Sequence, residues 1–212
     1  MSLAEKLRAE SEPDWSRAAR HRFTAELGDD AIADAVYRRY LVQDYAFIGT
    51  LVSMIGYGVA KAPDMTAKTG LSQFLAVLTS TENTYFLRSF DALGVPETER
   101  TAPELLPVSQ AFLAAMRDAG EQGGYADVIA TLLPAEWIYL EWAQAQAAKP
   151  RPNRFWLAEW IDLHANPGFE AFVGWLRSEL DRVGPAQEAA CRRRFRRMVE
   201  LEVAFFDAAY ES

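Results

Sequence analysis

Residues 40 to 60 read YLVQDYAFIGTLVSMIGYGVA, the longest apolar stretch in the chain. A helix of ~20 apolar residues spans a bilayer. This stretch carries Gln43, Asp44 and the glycines Gly49, Gly56 and Gly58, and ordinary mixed sequence follows it. It therefore reads as a helix buried inside a protein. Working outward, apolar residues recur at spacings of three and four, and no segment alternates cleanly as a half-buried strand does. Breakers at Pro13, Gly28-Asp29-Asp30, Ala62-Pro63-Asp64, Gly94-Val95-Pro96, Pro103 to Pro107, Gly120 to Gly124, Lys149 to Pro152, Asn166-Pro167-Gly168 and Gly184-Pro185 divide the chain. They leave about eight helical segments: 13–27, 30–60, 66–93, 107–119, 125–148, 153–165, 169–183 and 185–210. The short connections make neighbours antiparallel, so the expected fold is an all-α helical bundle. No linker, charge block or internal repeat separates two halves, and one domain over 1–212 is expected.

Composition removes several functions. With 22 Lys and Arg against 30 Asp and Glu, the net charge is −8. An acidic chain of this kind is not built to coat nucleic acid or an anionic membrane. Its single cysteine, Cys191, forms no internal disulfide. The charged N-terminus lacks the apolar core of a signal peptide, so a reducing, cytoplasmic setting is expected. Glu-x-x-His pairs, the usual ligands of a dimetal centre in a helical bundle, are missing: Ala18 and Ile161 stand three residues before His21 and His164. No metal and no cofactor are expected.

What remains is the placement of carboxylates. An ionised acid on a core-facing stripe costs several kcal/mol, of order of magnitude, unless something pairs with it. Asp44 is the only charged residue of the 40–60 stretch, and helical spacing surrounds it with Tyr37, Tyr40, Phe47, Ile48 and Leu51. Glu202 has Phe195, Met198, Val199, Phe205, Phe206 and Ala209 at its helical neighbour positions, whereas Glu200, Asp207 and Glu211 fall off that stripe. Glu82 is a third case on a half-polar face. Each acid alone is compatible with a structural carboxylate paired to Arg or Tyr. Two facing one aromatic cavity would suit a polar heteroaromatic ligand, one acid as proton donor and the other as acceptor. Pro134 lies inside a helical pattern and would bend that helix. Gly49 and Gly56, seven apart, read as a close helix contact. The arginine run from Arg192 to Arg197, interrupted only by Phe195, reads as a solvated face paired with acids.

The ordered motifs resemble a known family. His21-Arg22-Phe23, Gly28-Asp29 and Arg39-Tyr40-Leu41-Val42-Gln43-Asp44-Tyr45 resemble the opening of the TenA proteins, thiaminase II and its aminopyrimidine hydrolase relatives. The helix from Glu82 to Leu93-Gly94-Val95, the segment Leu132-Leu133-Pro134 to Tyr139, and Glu202-Val203-Ala204-Phe205 resemble later motifs of the same family. The resemblance implies a heme-oxygenase-like helical fold and a small-molecule pyrimidine ligand in an aromatic pocket. By motif it implies Asp44 as binder of the ring edge and Glu202 as acid or base at the leaving group. It further implies Phe47 and Tyr139 as ring partners, with Phe112, Phe205 and Glu82 lining the pocket. His164 falls where relatives often carry a pocket tyrosine. A homo-oligomer, dimer or tetramer, is also implied.

Ala135 departs from the pattern, because members with thiaminase activity carry their cysteine nucleophile there. Cys191 is no substitute: it lies eleven residues before Glu202, roughly 16 Å along a helix at about 1.5 Å per residue. The chain thus resembles the cysteine-free, glutamate-type branch linked to salvage of aminopyrimidines from damaged thiamin. Hydrolysis of an aminomethyl or formylaminomethyl pyrimidine to the hydroxymethyl product is the implied reaction, with Glu136, Glu82 and Glu202 open as the source of the chemistry. The alternatives are turnover of another small heterocycle, and pyrimidine binding without turnover.

Overall fold

The computed structural model describes residues 1–211, which contain twelve α-helices and no strand. In chain order they are α1 (Leu3–Glu10), α2 (Asp14–Ala19), α3 (Arg22–Gly28), α4 (Asp34–Lys61), α5 (Met65–Val77), α6 (Asn83–Ala92), α7 (Glu97–Thr101), α8 (Pro107–Arg117), α9 (Tyr125–Ala147), α10 (Phe155–Ala165), α11 (Pro167–Val183) and α12 (Glu188–Ala208). The all-α class read from the spacing is the one observed. The boundaries differ from the eight segments in four ways. Helix α1 precedes the first predicted segment, and α7 forms in a stretch read as loop. The 13–27 segment is two helices, because His21 adopts an extended backbone and its Nδ1 accepts the amide of Phe23 as an N-cap at 3.1 Å. The 66–93 segment is interrupted by a π turn at Leu78–Glu82.

Helix α9 is the axis of the bundle. It is apolar around most of its circumference, as a helix enclosed by others must be, and it packs against α12, α10, α11, α4, α2 and α3. It runs through Pro134 without a break. Helix α4, which holds the 40–60 stretch, lies beside it; among the described residues no helix is long and apolar enough to cross a membrane. Gly49 and Gly56 do not make the close contact expected of them, since a Cβ at either would meet nothing within 4 Å. That role belongs to Gly58, where a Cβ would stand 2.8 Å from Leu71 Cδ1 and 3.0 Å from Val128 Cγ1.

Polar anchors set the elements that carry the site. Gln43, next to Asp44, donates to the Glu104 carbonyl at 2.9 Å and accepts from the Leu106 amide at 3.0 Å and from the Ser109 hydroxyl at 2.7 Å. It thereby ties the start of α8 to α4. Arg154 donates to Asp30 and Asp34, each at 2.6 Å, and to the carbonyl oxygens of Asp30 and Ile32, each at 2.8 Å. This clamp fixes α10 against the loop leading into α4.

Candidate active site

A cavity of about 50 Å³ lies between α4, the π turn, α8, α9, α10 and α12. Helix α4 presents Asp44, Phe47 and Met54; the π turn presents its first and last residues, Leu78 and Glu82; α8 presents Phe112 and Met116. Helix α9 contributes Thr131, Ala135, Glu136 and Tyr139, α10 contributes Trp160 and His164, and α12 contributes Met198 and Glu202. A π turn inserts an extra residue into a helical turn and so re-aims the side chains on either side of it. Here it begins and ends on wall residues.

Nine of the residues singled out from sequence and resemblance therefore line one cavity: Asp44, Phe47, Glu82, Phe112, Ala135, Glu136, Tyr139, His164 and Glu202. Phe205 is not among them. Its ring packs behind the wall, 5.4 Å from Phe47 and 5.7 Å from Phe112 between centroids. Cys191 is buried elsewhere, its Sγ 3.9 Å from the carbonyl oxygens of Ala126 and Gly184, and burial pushes its thiol up to about 11. His21 uses Nδ1 for its cap and Nε2 for Asp207 at 3.1 Å. Reasoning from sequence passed over Trp160 as a site residue. The signal for Trp160 was its spacing of four from His164.

Four carboxyl groups, Asp44, Glu82, Glu136 and Glu202, are buried around this cavity, and none forms an ion pair with a described residue. Burial is the leading influence on all four and favours the neutral form. Asp44 is raised to about 8, with a hydrogen bond from Tyr40 pulling the other way. Glu136 is also raised to about 8, by burial and then by the charges of Glu202 and Asp44. Glu202 is pushed well above the usual carboxylate range by burial and Asp44, and Glu82 by burial, Glu136 and Asp44. At neutral pH the set is therefore predominantly protonated. Among the described residues no three of these acids and His164 converge into a set that would hold a metal ion.

The remaining polar atoms are ordered. Trp160 Nε1 donates to the Tyr40 hydroxyl at 3.1 Å, and the Tyr40 and Tyr139 hydroxyls are 2.7 Å apart. With one proton, Tyr40 donates to Asp44 only when Tyr139 donates to Tyr40, the arrangement an ionised Asp44 selects. His164 Nδ1 lies 2.9 Å from the Trp160 carbonyl, which only accepts, so Nδ1 carries the proton and Nε2 is left as an acceptor. Burial lowers this imidazole to about 4, against the pull of that hydrogen bond, and keeps it neutral. Asp44 Oδ2 and Glu202 Oε2 are buried with no hydrogen-bond partner. Such atoms cost free energy in the empty protein and are satisfied by a ligand that donates to them.

The arginine run lies away from the cavity. Arg192 pairs with Glu10 and Glu188, Arg194 with Asp118 and Asp127, and Arg196 with Glu200, which is the solvated, acid-paired face expected.

Known proteins share both sequence and fold with this chain. The aminopyrimidine aminohydrolase of Halalkalibacterium halodurans is 25% identical over 215 residues, covering 99% of this chain and 96% of the relative. The aminopyrimidine aminohydrolase of Helicobacter pylori is 23% identical over 220 residues and covers both chains completely. The solved structure of the TenA homologue protein from P. horikoshii OT3 superimposes with a TM-score of 0.89 at 22% identity, covering 99% of each chain. With residues 8–212 matching its model, the chain belongs to the TENA/THI-4/PQQC family.

Proposed function

We propose that this protein is a hydrolase of thiamin salvage that converts an aminopyrimidine, carrying an aminomethyl or formylaminomethyl group, to the hydroxymethylpyrimidine without a cysteine nucleophile. The observation that carries the reading is the pair of unpartnered buried oxygens, Asp44 Oδ2 and Glu202 Oε2, on residues that line one aromatic cavity. The aminopyrimidine aminohydrolases of Halalkalibacterium halodurans and Helicobacter pylori, aligned over nearly the whole chain, support the substrate class.

In this reading Asp44 accepts hydrogen bonds from the exocyclic amine of the ring, and Phe47, Phe112 and Tyr139 enclose its faces and edge, with Phe205 supporting the two phenylalanines. His164 offers an acceptor and Glu82 a donor to polar groups of the ligand. Glu202, neutral at pH 7, gives its proton to the departing nitrogen. Water completes the displacement, since Ala135 has no nucleophilic atom. The cavity of about 50 Å³ is smaller than a substituted pyrimidine and holds only a few waters. Its wall includes Met54, Met116 and Met198, unbranched side chains that shift readily to make room.

The test is formation of hydroxymethylpyrimidine from aminomethylpyrimidine, formylaminomethylpyrimidine and thiamin side by side, with the leaving group of each (ammonia, formamide and the thiazole) followed in parallel. Turnover of a non-thiamin pyrimidine, reduced by about 10²-fold to 10⁴-fold in Glu202→Gln, is expected. Absence of turnover by the wild type with all three overturns the reading. The methyl group at Ala135 favours one second reading, pyrimidine binding without turnover; stoichiometric binding of hydroxymethylpyrimidine by a protein that releases no ammonia is its signature.

A further inference from the structure

We propose that His164 is the residue that makes the cavity accept an aminopyrimidine and reject its oxo counterpart, by offering a hydrogen-bond acceptor whose sense does not reverse. The inference rests on the pyrimidine reading above and deepens it, naming the group that tells an exocyclic amine from an exocyclic carbonyl.

The carboxyl groups do not make that distinction. A neutral carboxyl both donates and accepts, and on losing its proton it only accepts, so Asp44, Glu82, Glu136 and Glu202 each adapt to either ligand. A hydroxyl turns about its bond to the same effect, and the Tyr139 hydroxyl is linked only to another hydroxyl, that of Tyr40. The Trp160 indole is committed to Tyr40, and Thr131 donates to the Asp127 carbonyl of its own helix at 2.8 Å. His164 is different. Its Nδ1 lies 2.9 Å from the Trp160 carbonyl, and a carbonyl never donates, so the proton is pinned at Nδ1 while Nε2 keeps a lone pair and has no partner among the described residues. Moving the proton to Nε2 would exchange that hydrogen bond for two lone pairs facing each other. Turning the ring over would lose the bond as well, and the packing opposes it: Trp160 and Phe169 meet the imidazole edge to face with centroids 4.4 and 5.0 Å away, and Tyr139 lies 5.0 Å away.

The same rings tie His164 to Asp44. Tyr40 hydrogen-bonds Asp44, accepts from Trp160 Nε1 and stands 2.7 Å from the Tyr139 hydroxyl, and Trp160 and Tyr139 are the rings that flank His164. Asp44 and His164 are thus attached to one Tyr–Trp cluster, at the end of the cavity that holds the ring edge in this reading. An exocyclic amine carries two N–H bonds, and the unpartnered Asp44 Oδ2 and His164 Nε2 are two acceptors for them. An oxo pyrimidine presents lone pairs at that point, with a ring N–H beside them. Asp44 adapts, donating to the carbonyl or accepting from the ring N–H. His164 does not adapt, and its lone pair stands against the carbonyl oxygen. A site built to receive a hydrogen bond rejects the ligand that lacks the donor far more strongly than a pocket rejects a small change of shape.

The experiment measures calorimetric binding of two ligands to wild type and His164→Gln: hydroxymethylpyrimidine, which has the exocyclic amine, and its analogue with a carbonyl in place of that amine. Wild type is expected to prefer the amine by about 100-fold or more. The glutamine amide turns either its oxygen or its nitrogen to the ligand, so His164→Gln is expected to bring the preference below about tenfold, chiefly by binding the oxo analogue more tightly. A loosened fold does not produce that gain. Wild type binding the two ligands within about threefold of each other, or a variant that keeps the full preference, overturns the assignment. If His164→Gln does not fold, nitrogen-15 NMR of the wild type decides, since His21 and His164 are the two histidines of the chain. A proton on Nδ1 of His164, free and with hydroxymethylpyrimidine bound, is expected, and a proton on Nε2 overturns the assignment. A wild type that binds neither ligand brings down the pyrimidine reading and His164 with it, whereas equal binding of both strikes the assignment to His164 alone.

Discussion

Helix α12 passes through two electrostatic settings. Along its N-terminal half, Arg192 and Arg194 meet Glu10, Glu188, Asp118 and Asp127. Two turns beyond, Glu202 points into a cavity whose other acids are Asp44, Glu82 and Glu136. Glu10 and Glu188 are lowered, chiefly by hydrogen bonds from Arg192 to Glu10 and from Lys6 and Arg192 to Glu188, whereas Glu202 is raised by burial and by Asp44. The same residue type is an ion-pair partner in one place and a proton store in the other. Burial and a missing cation make the difference, and only the second arrangement suits acid–base chemistry.

The two settings respond to pH in opposite directions. Asp44 and Glu136 hold their protons to about 8 in the folded chain but release them near 4 when unfolded. Between those values the native state binds more protons than the unfolded chain. Their contribution to stability is complete below about 4 and is lost as pH rises to about 8. The loss is on the order of several kcal/mol, and urea unfolding from pH 5 to pH 8 is expected to show a slope that Asp44→Asn and Glu136→Gln flatten. Asp30 behaves in the opposite way. Burial raises it, but the hydrogen bonds and charge of Arg154 hold it below 3.8, so its contribution is present above that value and disappears on acidification.

A smaller effect separates the ion pairs among themselves. Arg154 bridges two carboxylates and two carbonyls in a partly buried clamp, and Arg154→Ala is expected to cost about 1–3 kcal/mol in the same unfolding assay. Arg192 pairs with the exposed Glu10 and the half-exposed Glu188, and Arg192→Ala is expected to leave the unfolding midpoint unchanged. Equal losses in the two variants would erase the distinction between clamp and solvated face.

Much of this was legible in the residues, and the exceptions have physical causes. Spacing of three and four, with Gly and Pro punctuation, was enough to recover the helical class and the long helices α4, α9, α11 and α12, because burial of a stripe is written in the sequence. The split at His21 depends on an imidazole acting as a cap, a local choice that periodicity does not see. The π turn at Leu78–Glu82 is a tertiary adjustment, so helical spacing showed Glu82 as an acid on a mixed face, and its place in the pocket came from the resemblance. The test that picked out Asp44 and Glu202 also marks Glu136, flanked by Leu132, Leu133, Tyr139 and Leu140. Phe205 shows the limit of that test: three residues from Glu202 it shares the stripe, yet it is turned about 60° aside and packs edge to face behind Phe47 instead of reaching the cavity.

The most direct measurement is a carbon-13 NMR titration of the Asp and Glu carboxyl groups, with Asp44→Asn, Glu82→Gln, Glu136→Gln and Glu202→Gln used to assign the signals. Two of the four cavity carboxyls, Asp44 and Glu136, are predicted to titrate at about 8, with Glu82 and Glu202 still protonated above the ordinary carboxylate range. Four carboxyls titrating near 4 would mean that these acids are solvated or paired, and the cavity would lose its claim to be a proton-handling site.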